Sequence, residues 1–558
     1  MQIVIPMSGY GERFRRAGYL MPKPLIEIEG KPIIAHVIEM FPGEEDFIFI
    51  CNNEHLENPA YRMKEILQKY CPTGRIIGIP PHKLGPINAV REIEHLLDLS
   101  KPTVVNYCDF TCYWDWHHLK RFLAITACDG CIPAYKGFHP HSLGTTNYAY
   151  MKEEYGRVQD IQEKQPYTNN RLEEYASSGT YFFATGQLMS DAFRSTMEED
   201  LSVNGEYYVS LAYKYLLQNK YAVTVYPLQH FMQWGTPEDV EEYCRWSAIF
   251  NSLNSPPNSS PAASGALVIP MAGLGQRFAK EGYSVTKPLI PVSGRPMAIQ
   301  AVRYLPQAKY QAFVLRQNMA GHQEIAGTIK ESYPLAVIEN IPNVTDGQAC
   351  TALIGLDALE REFGDNLGPV TFGACDNGVL YKDEEFARLL EDPDVDVIVW
   401  GVRGHPNAVR HPQMFGWIDV EPSGRIKRVS VKTQLASPAS DPIVIGTFTF
   451  KHAANFRKSV ERLIFRDERI NGEFYIDSCI NDAIEMGLNC YMFEVDSYLS
   501  WGTPSELRTF EYWQSCFNKW SGHPYRLEND ADIPFEALVQ IQMRYMAITP
   551  EKMIKKND

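Results

Sequence analysis

The sequence has no apolar run approaching the ~20 residues needed to cross a bilayer, no excess of basic residues and no cysteine framework. Each absence removes a class of function. Its 558 residues carry 53 Lys and Arg against 68 Asp and Glu, a formal net charge of −15. That balance argues against nucleic acid, whose phosphates require clustered cations, and leaves room for a small anionic ligand in a locally basic pocket. The 12 cysteines are scattered, and only Cys128 and Cys131 form a C-x-x-C. With no second pair and no histidines at ligand spacing, these two read as strand cysteines rather than a zinc site. Dispersed, reduced cysteines predict a cytoplasmic protein. The opening MQIVIPMSGYGERF enters a strand pattern at once and lacks the basic and long apolar regions of an export signal. A Walker A loop is also missing, as is the third glycine of a dinucleotide fingerprint.

What the chain does contain is repetition. IVIPMSGYGERFRRAGYLMPKPLIEIEGKP from Ile3 returns as LVIPMAGLGQRFAKEGYSVTKPLIPVSGRP from Leu267, a shift of 264. Cys108-Asp109 meets Cys375-Asp376, SGTYFF from Ser178 meets IGTFTF from Ile445, and NGEYY from Asn204 meets NGEFY from Asn471. WGTPED at Trp234 meets WGTPSE at Trp501, all at a shift of 267, and Lys164 meets Lys432 at 268. A nearly constant offset predicts two tandem domains, at 1–250 and 266–520. The Ser-, Pro- and Asn-rich stretch 251–265 has too little apolar surface to pack and reads as a linker. Residues 521–558 form a C-terminal extension without a counterpart. It is expected to hold a helix over Pro534–Met546 and is open to two roles, docking on a domain or mediating contacts between copies of the chain.

Within each copy, apolar runs of four to six residues alternate with amphipathic helical stretches. The expected class is α/β: two tandem Rossmann-like domains, each a mostly parallel central sheet flanked by helices, with ligand at the carboxyl ends of the strands. The first strand runs into Gly9-x-Gly11, and its repeat into Gly273-x-Gly275. Glycines let backbone N–H groups close on phosphate oxygens. Arg13 and Lys23, repeated as Arg277 and Lys287, add a guanidinium fork and a point charge suited to a triphosphate.

Strand, G-x-G-x-R, a short gap and Lys-Pro together resemble the signature of the sugar-phosphate nucleotidylyltransferase superfamily, in both copies. The resemblance implies transfer of a nucleoside monophosphate from a nucleoside triphosphate to a phosphorylated acceptor, with pyrophosphate released. A sugar 1-phosphate is the first expectation for the acceptor, an aminoalcohol or polyol phosphate the next, in glycan or capsule precursor synthesis. It implies that Asp109 and Asp376 hold Mg²⁺, that Lys164 and Lys432 hold the acceptor phosphate, and that Gly179 and Gly446 line the acceptor pocket with Glu206 and Glu473. Gly85 in the first copy, and Gly347 with Gln348 in the second, fall in the region that reads the base.

Several positions depart from the family pattern. Gln233 and Ser500 stand where the family places a second metal-binding aspartate; Glu206 and Glu473, with Asp477 nearby, are candidate replacements. Val431 replaces Glu163 beside the acceptor lysine. Pro86 and Asn88 follow Gly85 where the second copy has a glycine-centred loop and Gln348, so the copies are expected to differ in nucleotide. His139 and His405 read as loop residues. Two alternatives are open: one active copy beside a regulatory ligand-binding copy, or a glycosyltransferase of related fold, although Asp109-Phe110-Thr111 is not the Asp-x-Asp such an enzyme needs. No membrane or nucleic-acid partner is expected, and a homo-oligomer is compatible with the sequence.

Overall fold

The computed structural model describes residues 1–254 and 263–546. Most of the expected linker, 255–262, and the end of the extension, 547–558, lie outside the described residues. The chain divides into two compact units. The first comprises Met1–Ala248 with Tyr512–Pro524 and the residues from Met543; the second comprises Ile249–Glu511 with Tyr525–Gln542.

In the first unit the strands Gln2–Met7, Asp46–Asn52, Arg75–Ile79 and Thr103–Asn106 are parallel neighbours, joined through the helices Ile33–Glu39, Met63–Tyr70 and Pro86–Glu92. Three of these strands are rich in Ile, Val and Phe and buried on both faces, as Val4, Ile48, Ile50 and Val105 show with no more than 1% exposure, whereas the edge strand Arg75–Ile79 is largely unburied. Burial of both faces is what the crossover helices impose. The other half of the ten-stranded sheet is mixed, with Val223–Leu228 parallel to Gly130–Tyr135 and the remaining pairings antiparallel. Thr180–Phe183 runs antiparallel to both Thr103–Asn106 and Gly130–Tyr135, and Ala149–Glu154 pairs antiparallel with Arg157–Glu163. The expectation of a mostly parallel sheet is therefore corrected here to a mixed one. A doubly covered strand is a continuous apolar run whichever way it points, so its pattern carries no direction.

The second unit repeats the crossover order with Ala266–Pro270, Tyr310–Arg316, Val337–Ile341 and Val370–Phe372 parallel, and Ile443–Phe450 antiparallel beside them. Along its main path the sheet is mostly parallel. The helix expected near the C-terminus is present as Phe535–Met546. No helix among the described residues is long and apolar enough to cross a membrane, and the cysteines are free, with Cys128 and Cys131 buried.

Both opening strands carry a proline near their ends. Pro6 lies beyond the last pairing with Thr103–Asn106, at Val4 with Val105, and Pro270 lies beyond Val268 with Phe372. Proline cannot donate to a ladder, so each opening strand parts from that neighbour there while its pairing on the other side runs on through the proline.

His139 is a packing residue. Its ring lies 4.3 Å from Tyr135 and 5.1 Å from Tyr512, and burial pushes it down to about 4. His405, also buried, packs on Phe415 and Tyr498. Between pH 6.5 and 4 the unfolded chain binds a proton at residue 139 that the folded chain does not, so stability falls as pH falls through that window. His139→Phe is expected to remove about 3 kcal/mol of that loss, read by urea unfolding at pH 7 and pH 4.5. An equal loss in both proteins would count against it.

Candidate functional site

Gly11 has φ 63° and caps the short helix Glu12–Arg16; Gly275, φ 62°, caps Gln276–Lys280. This left-handed turn is where glycine is needed. Gly9 and Gly273 have nothing within 4 Å of where a Cβ would stand, which leaves the loop's backbone bare on that side. Arg13 and Arg277, both exposed, carry no ion pair among the described residues. Lys23 begins the turn Lys23–Leu25 and donates from Nζ to Asp109 Oδ2 at 2.8 Å. Burial pulls the ammonium down, but the carboxylate outweighs it and holds Lys23 up at about 12. In the second unit Lys287 pairs with Asp376 in the same way.

Asp109 follows the strand Thr103–Asn106, which neighbours Gln2–Met7 in parallel. The shared direction brings the ends of both strands to one edge, and with them the loop and the carboxylate. The backbone oxygen of Asp109 accepts from the N–H of Trp234 at 2.7 Å, and that of Asp376 from Trp501 at 2.9 Å. Each tryptophan is fully buried, anchoring the W-G-T-P segment against the aspartate.

At the opposite end, Lys164 and Lys432 hold left-handed φ of 60° and 59°, costly for a lysine. Lys164 donates from Nζ to Tyr208 Oη at 2.6 Å, and Tyr208 donates on to Glu206 Oε2 at 2.6 Å. Lys432 donates to the carbonyl of Met414 at 2.7 Å and lies over the Tyr475 ring. Glu473 is exposed beside that ring's chain segment. Gly85 and Gly347 open the helices Pro86–Glu92 and Gln348–Phe363. Pro86 removes an N–H from the first turn of its helix, whereas Gln348 keeps one and adds a side-chain amide. Gly179 and Gly446 have φ of 99° and 78°, and a Cβ on Gly179 would lie 3.1 Å from Tyr107 and Phe110.

In the first unit a cavity of about 590 Å³ gathers Gly9, Gly11, Arg13, Lys23, Gly85, Asp109, Lys164, Gly179 and Glu206 in its lining. Its size suits a nucleotide-sized ligand. It is cationic at the loop and mixed in charge at the lysine end.

Residues 3–230 match the family described as Nucleotidyl transferase. The matched residues all lie in the first unit. Among curated relatives, a Xenopus laevis mannose-1-phosphate guanyltransferase beta-B is 27% identical over 210 residues, 36% of this chain and 54% of its own length. A Salmonella typhimurium glucose-1-phosphate cytidylyltransferase is 36% identical over 72 residues, 12% of this chain and 26% of its own length. The chain thus spans about half the length of the guanyltransferase it matches. A solved Vibrio cholerae nucleoside-diphosphate-sugar pyrophosphorylase aligns with a TM-score of 0.37 and 19% identity, over 44% of this chain and 98% of its own.

No group of three or more His, Cys, Asp or Glu among the described residues is placed to hold a metal. Two carboxylates flank the glycine of each Trp-Gly segment. A Cβ on Gly235 would lie 3.2 Å from Asp109 Oδ2 and 3.9 Å from Asp239 Oδ2; one on Gly502 would lie 3.1 Å from Asp376 Oδ2 and 3.6 Å from Glu506 Oε2. Glu206 is instead engaged with Tyr208. Gln233, six residues before Asp239, donates its amide to that carboxylate. Burial pushes the Asp239 carboxyl up to about 6.

Asp239, which lines the cavity, and Glu506 did not stand out in the sequence, and their local geometry is that of helix capping. The N–H of Asp239 donates to Thr236 Oγ1 at 3.2 Å and the N–H of Thr236 to Asp239 Oδ2 at 3.0 Å, a capping box. Glu506 and Thr503 make a similar pair. The signal that could have found them is T-x-x-[DE] directly after the repeated Trp-Gly.

Proposed function

We propose that the chain transfers a nucleoside monophosphate from a nucleoside triphosphate to a phosphorylated small molecule, releasing pyrophosphate, and that both units carry this site. The observation that carries the reading is the Lys–Asp ion pair beneath a glycine-rich loop, built from the same sequence positions in each unit. The guanyltransferase and cytidylyltransferase relatives support a sugar 1-phosphate as acceptor in the first unit.

Arg13 and Lys23 would neutralise the triphosphate, and Lys164 would orient the acceptor phosphate. An oxygen of that phosphate forms a bond to the α-phosphorus as the bond from the α-phosphorus to the bridging oxygen of pyrophosphate breaks; the electron pair leaves with pyrophosphate. The attacking oxygen is already anionic at neutral pH, so no general base is needed. Positioning and charge neutralisation lower the barrier. Asp109 with Asp239, and Asp376 with Glu506, fit Mg²⁺, which needs only one or two carboxylates beside phosphate and water. Bound there, it would supply charge neutralisation on the phosphate oxygens.

The test is pyrophosphate release over a matrix of nucleoside triphosphates and acceptor phosphates, with Asp109→Asn and Asp376→Asn assigning each activity to a unit. Release lost to each substitution for a different substrate pair is the expected result; release untouched by either would overturn the reading. Arg13→Ala is expected to raise the KM for the triphosphate about tenfold to a hundredfold, the worth of a charged hydrogen bond, with the acceptor KM unchanged. The same assay checks it.

A further inference from the structure

The two units present a carboxylate beside the acceptor lysine from opposite walls. In the first unit it belongs to Glu163, the last residue of the strand Arg157–Glu163, opposite Ala149 in register. Glu163 Oε2 accepts from Ser210 Oγ at 2.6 Å. Ser210 is the second residue of the helix Val209–Gln218. In the second unit the strand Ile426–Val431 ends in Val431, opposite Gly416, and the second residue of the corresponding helix, Ile476–Glu485, is Asp477. Three positions have changed together: Glu to Val, Ser to Asp, and Ala to Gly.

The glycine explains the set. A Cβ on Gly416 would lie 2.2 Å from Asp477 Oδ2, so the alanine of the first unit would collide with the relocated carboxylate. Asp477 and Lys432 act on each other electrostatically, as Glu163 and Lys164 do. What reads as a lost contact at Val431 is a carboxylate moved across the gap.

The surroundings of the carboxylate differ as well. The first-unit cavity is lined at this end by three hydroxyl-bearing residues, Tyr107, Ser177 and Tyr181, with Ser177 Oγ donating to Tyr181 Oη at 2.8 Å. At the matching positions the second unit has Ala374, Val444 and Phe448. A wall rich in hydroxyls suits an acceptor with many hydroxyls of its own. Apolar side chains at these three positions offer no partner to sugar hydroxyls, each of which would lose its water unrecovered. They can hold a short apolar body with one cationic group against the carboxylate, while the lysine takes the phosphate.

Resting on the nucleotidyl-transfer reading, we infer that the second unit takes an aminoalcohol phosphate, with Asp477 receiving its ammonium and Lys432 its phosphate, whereas the first unit takes a sugar phosphate. Burial pushes the Asp477 carboxyl up to about 6, against the opposing pull of the Lys432 ammonium.

The experiment uses the intact chain carrying Asp109→Asn, which silences the first site. Steady-state pyrophosphate release is measured with Mg²⁺ and each nucleoside triphosphate against phosphoethanolamine, phosphocholine, glucose 1-phosphate and mannose 1-phosphate. Phosphoethanolamine or phosphocholine is expected to show a KM at least tenfold below either sugar 1-phosphate. Adding Asp477→Asn should raise that KM at least tenfold and leave the triphosphate KM within twofold, a split that damage to the fold would not give. The triple variant Gly416→Ala, Val431→Glu, Asp477→Ser, which returns the carboxylate to the strand wall, should abolish the preference for the aminoalcohol phosphate. A preference for sugar 1-phosphates, or an Asp477→Asn effect shared equally by both substrates, overturns the inference and leaves nucleotidyl transfer standing. No release with any acceptor overturns the nucleotidyl-transfer reading of the second unit and this inference with it.

Discussion

Asp109→Asn is expected to lower pyrophosphate release at the first site about a thousandfold, the scale of removing one preorganised electrostatic contact from a transition state. The substitution keeps size and shape, so the loop and the Trp234 anchor remain. It removes the negative charge that faces Lys23 at 2.8 Å and one of the two carboxylates flanking Gly235. Binding of the triphosphate should weaken far less than turnover, because Arg13, Lys23 and the loop backbone are untouched. The check is a pair of measurements, release rate and triphosphate affinity, on the same protein. Equal losses in both would mean that Asp109 serves binding alone.

Gly85→Ala is expected to cost about 3 kcal/mol or more of stability and to abolish activity in the first unit. Two causes act together. Gly85 has φ 89°, a backbone region that L side chains rarely adopt, and its Cβ would stand 2.7 Å from the N and 2.8 Å from the O of Tyr207. Those atoms are in use, since the N–H of Tyr207 donates to the Leu84 carbonyl at 2.8 Å and its carbonyl accepts from Ile87 at 3.2 Å. The chain around Tyr207 must therefore move, carrying Glu206 and Tyr208 away from Lys164. Gly347 stands in the same relation to Phe474, whose N and O a Cβ would approach to 2.4 and 2.5 Å. Urea unfolding of Gly85→Ala and Gly347→Ala measures the cost; a change below ~0.5 kcal/mol, the range of ordinary surface substitutions, would contradict it.

How much of this was legible in the sequence depended on whether a position's chemistry is local. Gly11 and Gly275 must adopt a left-handed turn, a demand on the residue itself, so the repeat stands out at the loop. Lys23 and Asp109 are far apart in sequence, yet each sits beside a recognisable strand or Lys-Pro turn, and the parallel order of two strands was enough to bring them together. Asp239 was hidden because its approach to Asp109 depends on the antiparallel pairing of Phe110–Tyr113 with His230–Gln233, and its local pattern is satisfied by helix capping. The exchange of Glu163 for Asp477 was hidden for a related reason. Position-by-position comparison sees only Val431 in place of Glu163, whereas the carboxylate's new origin lies on a helix brought across the strand end. The direction of Thr180–Phe183 was not encoded in its pattern at all, since a fully buried strand is apolar in either orientation.

The most direct test of the central claim follows the α-phosphorus. The intact protein is incubated with Mg²⁺, mannose 1-phosphate or glucose 1-phosphate, and a nucleoside triphosphate labelled at the α-phosphate. The label is predicted to appear in a nucleoside-diphosphate sugar, with one pyrophosphate formed for each labelled product. Label recovered in a nucleoside diphosphate beside orthophosphate, or consumption of a supplied nucleoside-diphosphate sugar without triphosphate turnover, would contradict it and place the chemistry in a different class of transfer.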